Sequence, residues 1–305
     1  MAGPNGGETM ATAEANDLIT AVTELPVQPG AAMRLLWMLE DPRTSAADLG
    51  RLIESDPALS TQVFRLANTP FYGLSGQVSS AWRAVTVLGL PTVRAIATAA
   101  AFDLFSETGR SVPDDFWPHS VTTAAAAAAI ARRIGVRPND AFGAGLLHDV
   151  GRALLFRRAP RRYDAMLDLL AGDATLSHLD AERMEFAMTH AEVGAAALSV
   201  MRFPADVVEA IGSHHTPPAE VTSQLGRVLV AADAVAIEID DIASRQKASG
   251  GKASGRKASG QQASEQNAPL EEALEALEMP VGASAALVAE VRTDQENLAG
   301  ILTAR

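Results

Sequence analysis

Residues 141–155 read AFGAGLLHDVGRALL, and the centre of that stretch decides how the rest of the chain is read. His148 and Asp149 follow Leu146 and Leu147 and precede Val150 and Gly151. Adjacent ionisable groups at the edge of an apolar helix face need partners, because an unpaired buried charge is costly. Hydrogen bonds or a metal ion must supply them. The apolar spacing around the pair predicts a helix over 140–157.

The same helical periodicity continues outward in both directions. Upstream, Leu18, Ile19, Val22 and Leu25 share a face; a break at Val27–Gly30 is followed by Met33, Leu35, Leu36 and Leu39 at helical spacing. Ser45 is placed to cap AADLGRLIES, and Asp56 to cap a helix that starts with Pro57. Ser80 opens a helix with Val85 and Leu88, and Pro91 starts another that runs through Ala101 to Phe105. Further helices are expected at 119–134, 176–187, 190–202, 205–214 and 223–239. Thr189-His-Ala-Glu192 has the spacing of a capping box. LEEALEALEM and SAALVAEVRTDQENLAGILTA predict two last helices. No segment alternates apolar and polar residues as a half-buried strand does, so the fold class is all-α.

Composition narrows the function. The 305 residues contain no Cys, which excludes disulfides, thiolate metal sites and Cys nucleophiles. A formal net charge of −12 argues against a nucleic-acid or anionic-membrane surface. Ser45–Asn68 could be taken for a DNA-reading helix pair, but its second helix offers only Arg65 as a base. The first basic residue is Arg34, so no secretory leader is expected, and no apolar run reaches the roughly 18 residues of a membrane span. The expected location is cytoplasmic. All the lysines fall within residues 245–268, where Lys-Ala-Ser-Gly recurs three times at a five-residue period. Nothing there exceeds Ala in hydrophobicity, so it reads as a solvated linker. The expected organisation is a disordered tail over 1–14, helical parts over 15–110 and 111–241, a linker over 242–268, and C-terminal helices over 269–305.

Chemistry is carried by histidine and aspartate. His119, His148–Asp149, His190, His214–His215 and Asp233 form a series whose spacing puts them on successive helices. Imidazole and carboxylate suit one or two divalent ions such as Fe, Mn, Zn or Mg, and carboxylates can bridge two of them. A single His in a helical protein is more often a hydrogen-bonded residue than a ligand, and His178 is read that way. Arg152, three residues after Asp149, is a candidate contact for a bound anion. Arg157, Arg158, Arg161 and Arg162 read as compensation of a helix C-terminal dipole, with a phosphate-bearing ligand as the alternative.

Several of these motifs in order resemble the HDOD family, the HD-related output domains of bacterial signalling proteins. The resemblance spans roughly residues 20–240. It is carried by Leu25–Gly73 (LPVQPGAAMRLLWMLEDPRTSAADLGRLIESDPALSTQVFRLANTPFYG), by VSSAWRAVTVLGLPTVR, and by AFGAGLLHDVGRALL, THAEVGAAAL and AIGSHHTPP. It implies an all-α, HD-domain-like bundle with an N-terminal helical subdomain. It also implies a relay or output module of signal transduction; with no kinase, receiver or cyclase segment among the 305 residues its protein partners are expected in trans, and the acidic charge leaves no expected nucleic-acid or membrane partner. The wider HD superfamily implies metal ligands at His119, His148, Asp149 and Asp233. Its cyclic-di-GMP phosphodiesterase branch adds His190, His214 and His215, so a metal-dependent phosphohydrolase is the alternative. Two features depart from that branch. Arg152 stands where it has Lys, and Thr216, Pro217 and Pro218 stand where it has Gly-Tyr-Pro.

Overall fold

The computed structural model describes residues 30–106, 112–173, 175–249 and 269–298. The expected tail over 1–14, the Leu18–Leu25 face and the Lys-Ala-Ser-Gly repeats beyond Ser249 lie outside these residues.

Every regular element described is helical, as the missing strand periodicity requires. Helix α1 is Ala31–Glu40, α2 Ala46–Glu54 and α3 Pro57–Ala67. Ser45 caps α2 through the backbone N–H of Asp48, and the Asp48 carboxylate reaches back to the Ser45 N–H at 2.9 Å. Asp56 accepts from the Leu59 N–H at 2.9 Å, with Pro57 in the first turn, where its missing donor costs nothing. A short 3₁₀ turn at Pro70–Tyr72 then leads to α4, Ala81–Ala101. Leu35, Leu36, Leu49, Ile53, Leu59, Val63, Leu66 and Leu88 close an aliphatic core between these helices.

The two helices expected across Ser80–Phe105 are present as two segments of α4 that meet at a kink. Gly89 takes φ +76° and ψ 158°, a conformation reserved for glycine, two residues before Pro91. A Cβ there would also come within 2.6 Å of the Asn139 amide nitrogen. By length and composition α4 could cross a membrane, yet 56% of its apolar window is buried inside the protein.

The second half is built around α5, Phe116–Ile134, whose Ala124–Ala131 run is wholly buried. Small side chains let neighbours approach closely, and α6 (Pro138–Leu147), α12 (Gln224–Ser249) and α14 (Ala283–Leu298) all pack on it. Between them run α7 (Val150–Arg158), α8 (Pro160–Gly172), α9 (His178–Phe186), α10 (His190–Val200) and α11 (Ala205–Gly212); α13 is Leu270–Glu275.

Three expectations need correction. The helix predicted over 140–157 is two helices, because Asp149 leaves helical geometry at φ −96°, ψ 13° and becomes the N-cap of α7. Successive residues of one continuous helix point about 100° apart; the break turns His148 and Asp149 into one space. The chain expected to become linker at 242 stays helical to Ser249. Arg157 and Arg158 do occupy the last turn of α7, but Arg161 and Arg162 open α8, where the dipole disfavours a cation. Arg162 is held instead by Glu185 at 2.6 Å, and Arg157 by the Asp103 carbonyl at 2.8 Å.

Candidate metal centre

Each of the seven His and Asp residues singled out in the sequence lies in one place. His119 projects from α5, His148 and Asp149 from the α6–α7 break, His190 from the first position of α10, His214 and His215 from the end of α11, and Asp233 from α12. Six of them are buried and His215 is half-buried. The donors fall into two groups that share Asp149: Asp149 with His190, His214 and His215, and Asp149 with His119 and His148. Within each group the ligand atoms lie within 4.8 Å of one another.

Local sequence explains the convergence. The Thr189–Glu192 capping box starts α10 so that His190 is its first residue. Gly151 lets α7 lie against that start, since a Cβ there would sit 1.9 Å from the His190 carbonyl oxygen. This close approach is why a glycine follows Val150.

Hydrogen bonding assigns the imidazole tautomers. A carbonyl oxygen only accepts, so His148 Nδ1 donates to Gly145 at 2.8 Å and His214 Nδ1 donates to Ile211 at 2.6 Å. His190 Nδ1 donates to the Glu182 carboxylate at 2.8 Å. The Nε2 atoms are thereby turned inward. His148 Nε2 lies 3.2 Å from His119 Nε2, while His190 Nε2 lies 3.3 Å from His214 Nε2 and 2.7 Å from His215 Nε2. Asp149 Oδ1 stands 3.3–3.6 Å from the Nε2 atoms of His148, His190 and His214. Asp233 Oδ1 is 2.9 Å from His119 Nε2 and 3.6 Å from His148 Nε2. Acceptor atoms brought together in this way call for cations between them: protons, or a metal ion that all of them can ligate. The donor set fits a divalent metal of borderline hardness.

The electrostatics agree with a cation-demanding centre. Burial alone would raise Asp149 and Asp233, but the surrounding cations and hydrogen bonds win. His148 and Arg152 hold Asp149 well below the usual carboxylate range, and His119 and His148 do the same to Asp233. Burial lowers His119 and His190, yet Asp233 and Asp240 outweigh it for His119, and Glu182 and Asp149 outweigh it for His190; both end well above the ordinary value. His215 moves the other way, pushed well down by burial and by His214 and His190.

Arg152 is not a free anion contact. Its side chain is 2% exposed, with one nitrogen on Asp149 at 2.8 Å and another on Asp115 at 3.1 Å. Its Nε approaches the Tyr163 hydroxyl at 3.4 Å. Both ends of the guanidinium are committed to carboxylates, so it orients Asp149.

Three surrounding residues, Glu182, Asp115 and Asp240, were not singled out in the sequence. Glu182, fully buried on α9, binds both the His190 N–H at 2.7 Å and its ring. His178, one turn earlier, faces the other Glu182 oxygen at 3.3 Å, so it is core, as read, but stands directly behind the centre. Asp115 flanks Arg152, and Asp240 lies 3.4 Å from His119 Nδ1. The i,i+4 spacing of His178 and Glu182 was the available signal; nothing in the sequence tied that pair to His190.

Comparison with known proteins agrees with this architecture. A Geobacter sulfurreducens HDOD domain protein with unknown function is 26% identical, with 97% of this chain and 99% of that one covered and a TM-score of 0.63. A Shewanella amazonensis protein provisionally named a phosphohydrolase is 23% identical, with 94% and 98% covered and a TM-score of 0.69, a likeness of fold. An uncharacterized Treponema pallidum protein is 22% identical over 213 residues; the match covers 69% of this chain but only 41% of that relative. The HDOD domain model matches residues 25–217, well over half the chain and all of the centre except Asp233. The chain belongs to the HDOD domain family.

Proposed function

We propose that this chain is a metal-holding signal-transduction module that acts through protein contacts, and that its metal centre serves architecture and regulation more than turnover. The observation that carries this reading is the charge balance of the centre. Two divalent ions together with Arg152 would be matched by the carboxylates of Asp115, Asp149, Glu182, Asp233 and Asp240, all within the centre or its immediate shell. A matched shell leaves no surplus positive potential to draw in a phosphate ester. Arg152, the cation that the sequence offered for such an anion, is buried and occupied.

His119, His148, Asp149, His190, His214, His215 and Asp233 would hold the ions. Bound divalent metal would tie α5, α10, α11, α12 and the α6–α7 junction together, and its binding free energy would add to that of folding. Loss or gain of the ion would then change how these helices pack, which is what a relay to a protein partner requires. The partners of this reading are signalling proteins supplied in trans, with nucleic acid and membrane surfaces disfavoured by the acidic charge.

A second reading, a metal-dependent phosphohydrolase, draws on Asp149 being common to both donor groups, as a bridging ligand of a two-metal hydrolytic site would be. The Shewanella protein's provisional name points the same way. Elemental analysis of the purified protein, with hydrolysis of cyclic dinucleotides and simple phosphate esters measured in Mn, Fe or Mg, separates the two. The regulatory reading expects bound metal and no robust turnover. Metal-dependent hydrolysis that disappears in a folded Asp149→Ala would reverse it.

A further inference from the structure

The two donor groups that meet at Asp149 are supported differently. His190 is fixed twice by a single Glu182 oxygen, through its backbone N–H at 2.7 Å and its Nδ1 at 2.8 Å. Glu182 is itself fully buried, and its other oxygen faces His178. His214 is pinned by the Ile211 carbonyl at 2.6 Å. In the opposite group His148 is pinned in the same way by the Gly145 carbonyl at 2.8 Å, but its partner His119 is held more loosely. His119 Nδ1 faces Asp240 at 3.4 Å, near the limit of a hydrogen bond, and that carboxylate is part-exposed. His119 Nε2 also lies 2.9 Å from Asp233 Oδ1.

Donor count points the same way. Asp149, His190, His214 and His215 are four donors within reach of one point, enough to complete a tetrahedral shell. His119, His148 and Asp149 supply three, with Asp233 alongside. A carboxylate behind a ligating imidazole fixes its tautomer and raises its basicity, and loss of such a partner typically weakens metal binding about 10–100-fold.

We infer that Glu182, backed by His178, is a positioning residue for His190 and makes the three-histidine group the tighter of two sites, so that the first metal equivalent enters there and the second enters beside His119. The buried His178–Glu182 pair thereby gains a role that core packing alone does not explain. This inference rests on the metal-binding reading above, and the two can fail separately.

The test is a titration of the metal-free full chain with Co²⁺, followed by visible absorption and by isothermal calorimetry. The wild type is expected to take up two equivalents in two steps with distinct spectra. Glu182→Gln keeps the shape and a neutral acceptor; it should weaken the first step by about 10–100-fold and leave the second in place. His215→Ala should remove the first step and spare the second, and Asp233→Asn should do the reverse. Circular dichroism reports whether each variant is folded. A first step unchanged in folded Glu182→Gln, or removed in folded Asp233→Asn, overturns the proposal. Should Glu182→Gln not fold, the other two variants and the wild-type isotherm decide, and simultaneous uptake of both equivalents by the wild type overturns it as well. Absence of any cobalt binding by the wild type would instead remove the metal-binding reading itself.

Discussion

The N-terminal helices and the helices around the centre bury very different material. Between Ala31 and Ala101 the buried polar side chains are Gln62, Thr69, Thr92 and Thr98, all uncharged. From His119 to Asp233 the interior holds five histidines, two aspartates, a glutamate and an arginine. The first region is stabilised by apolar burial, which is nearly independent of pH and of metal. The second depends on charges that must compensate one another in a medium where an unmatched one is expensive. One chain thus joins an indifferent scaffold to a region whose stability is set by solution conditions.

The largest break in that comparison should come from Asp149→Ala. It leaves Arg152 without its closest partner and removes the carboxylate shared by both donor groups. Removing one member of a buried ion pair costs about 3–5 kcal/mol. Chemical unfolding of the variant should show that loss, together with loss of any metal-induced stabilisation. A fall under about 1 kcal/mol would mean that Arg152 is not buried as described.

Ile53→Ala is the control from the other region. The side chain is fully buried between apolar neighbours, and the truncation should cost about 2–5 kcal/mol. The difference between the regions lies in the chelator response. The Ile53→Ala penalty should be the same with and without a strong chelator, whereas wild-type stability itself should drop when metal is stripped. A chelator-dependent Ile53→Ala penalty would show that the two regions are energetically coupled.

Much of this division was legible in the sequence. The all-α class followed from periodicity, and Ser45, Asp56 and Thr189 named three helix starts from side-chain chemistry alone. The seven His and Asp residues were identified, and the resemblance supplied their grouping, since no local pattern links His119 to Asp233. What stayed hidden was whatever depends on three-dimensional contact. The break at Asp149 was hidden because the apolar spacing runs through it without interruption. The commitment of Arg152 was hidden because Asp115 lies 37 residues away. Glu182 was hidden because a glutamate in a charged helical segment reads as surface until its burial is seen.

Gly89→Ala should have a smaller effect, confined to the scaffold. The φ of +76° with extended ψ is a region that side-chain-bearing residues avoid at a cost of about 1–3 kcal/mol, and Asn139 must also move. Pairing it with Asn139→Ala separates the two contributions: the second substitution should recover the steric part and leave the backbone part. Full recovery would place all of the cost in the contact with Asn139 and none in the kink.

The smallest expected effect tests the charged region through pH. Burial would raise Asp115, but the Arg152 guanidinium beside it holds its carboxyl below the ordinary range. A folded-state pKa that is depressed contributes stability above the unfolded value, about 3.9 for Asp, and that contribution is lost as pH falls through the folded value. Asp115→Asn should therefore be less stable than wild type at pH 7. The gap should be about 1 kcal/mol, because the Asp115 side chain is 25% exposed and Arg152 keeps Asp149. Urea unfolding at pH 7, 5, 4 and 3 should show that gap steady down to pH 5 and shrinking below pH 4, as wild-type Asp115 itself becomes neutral. A gap that stays constant to pH 3 would mean that the carboxylate's shape, and not its charge, is what Arg152 uses, and the charge-matched shell would lose one of its members.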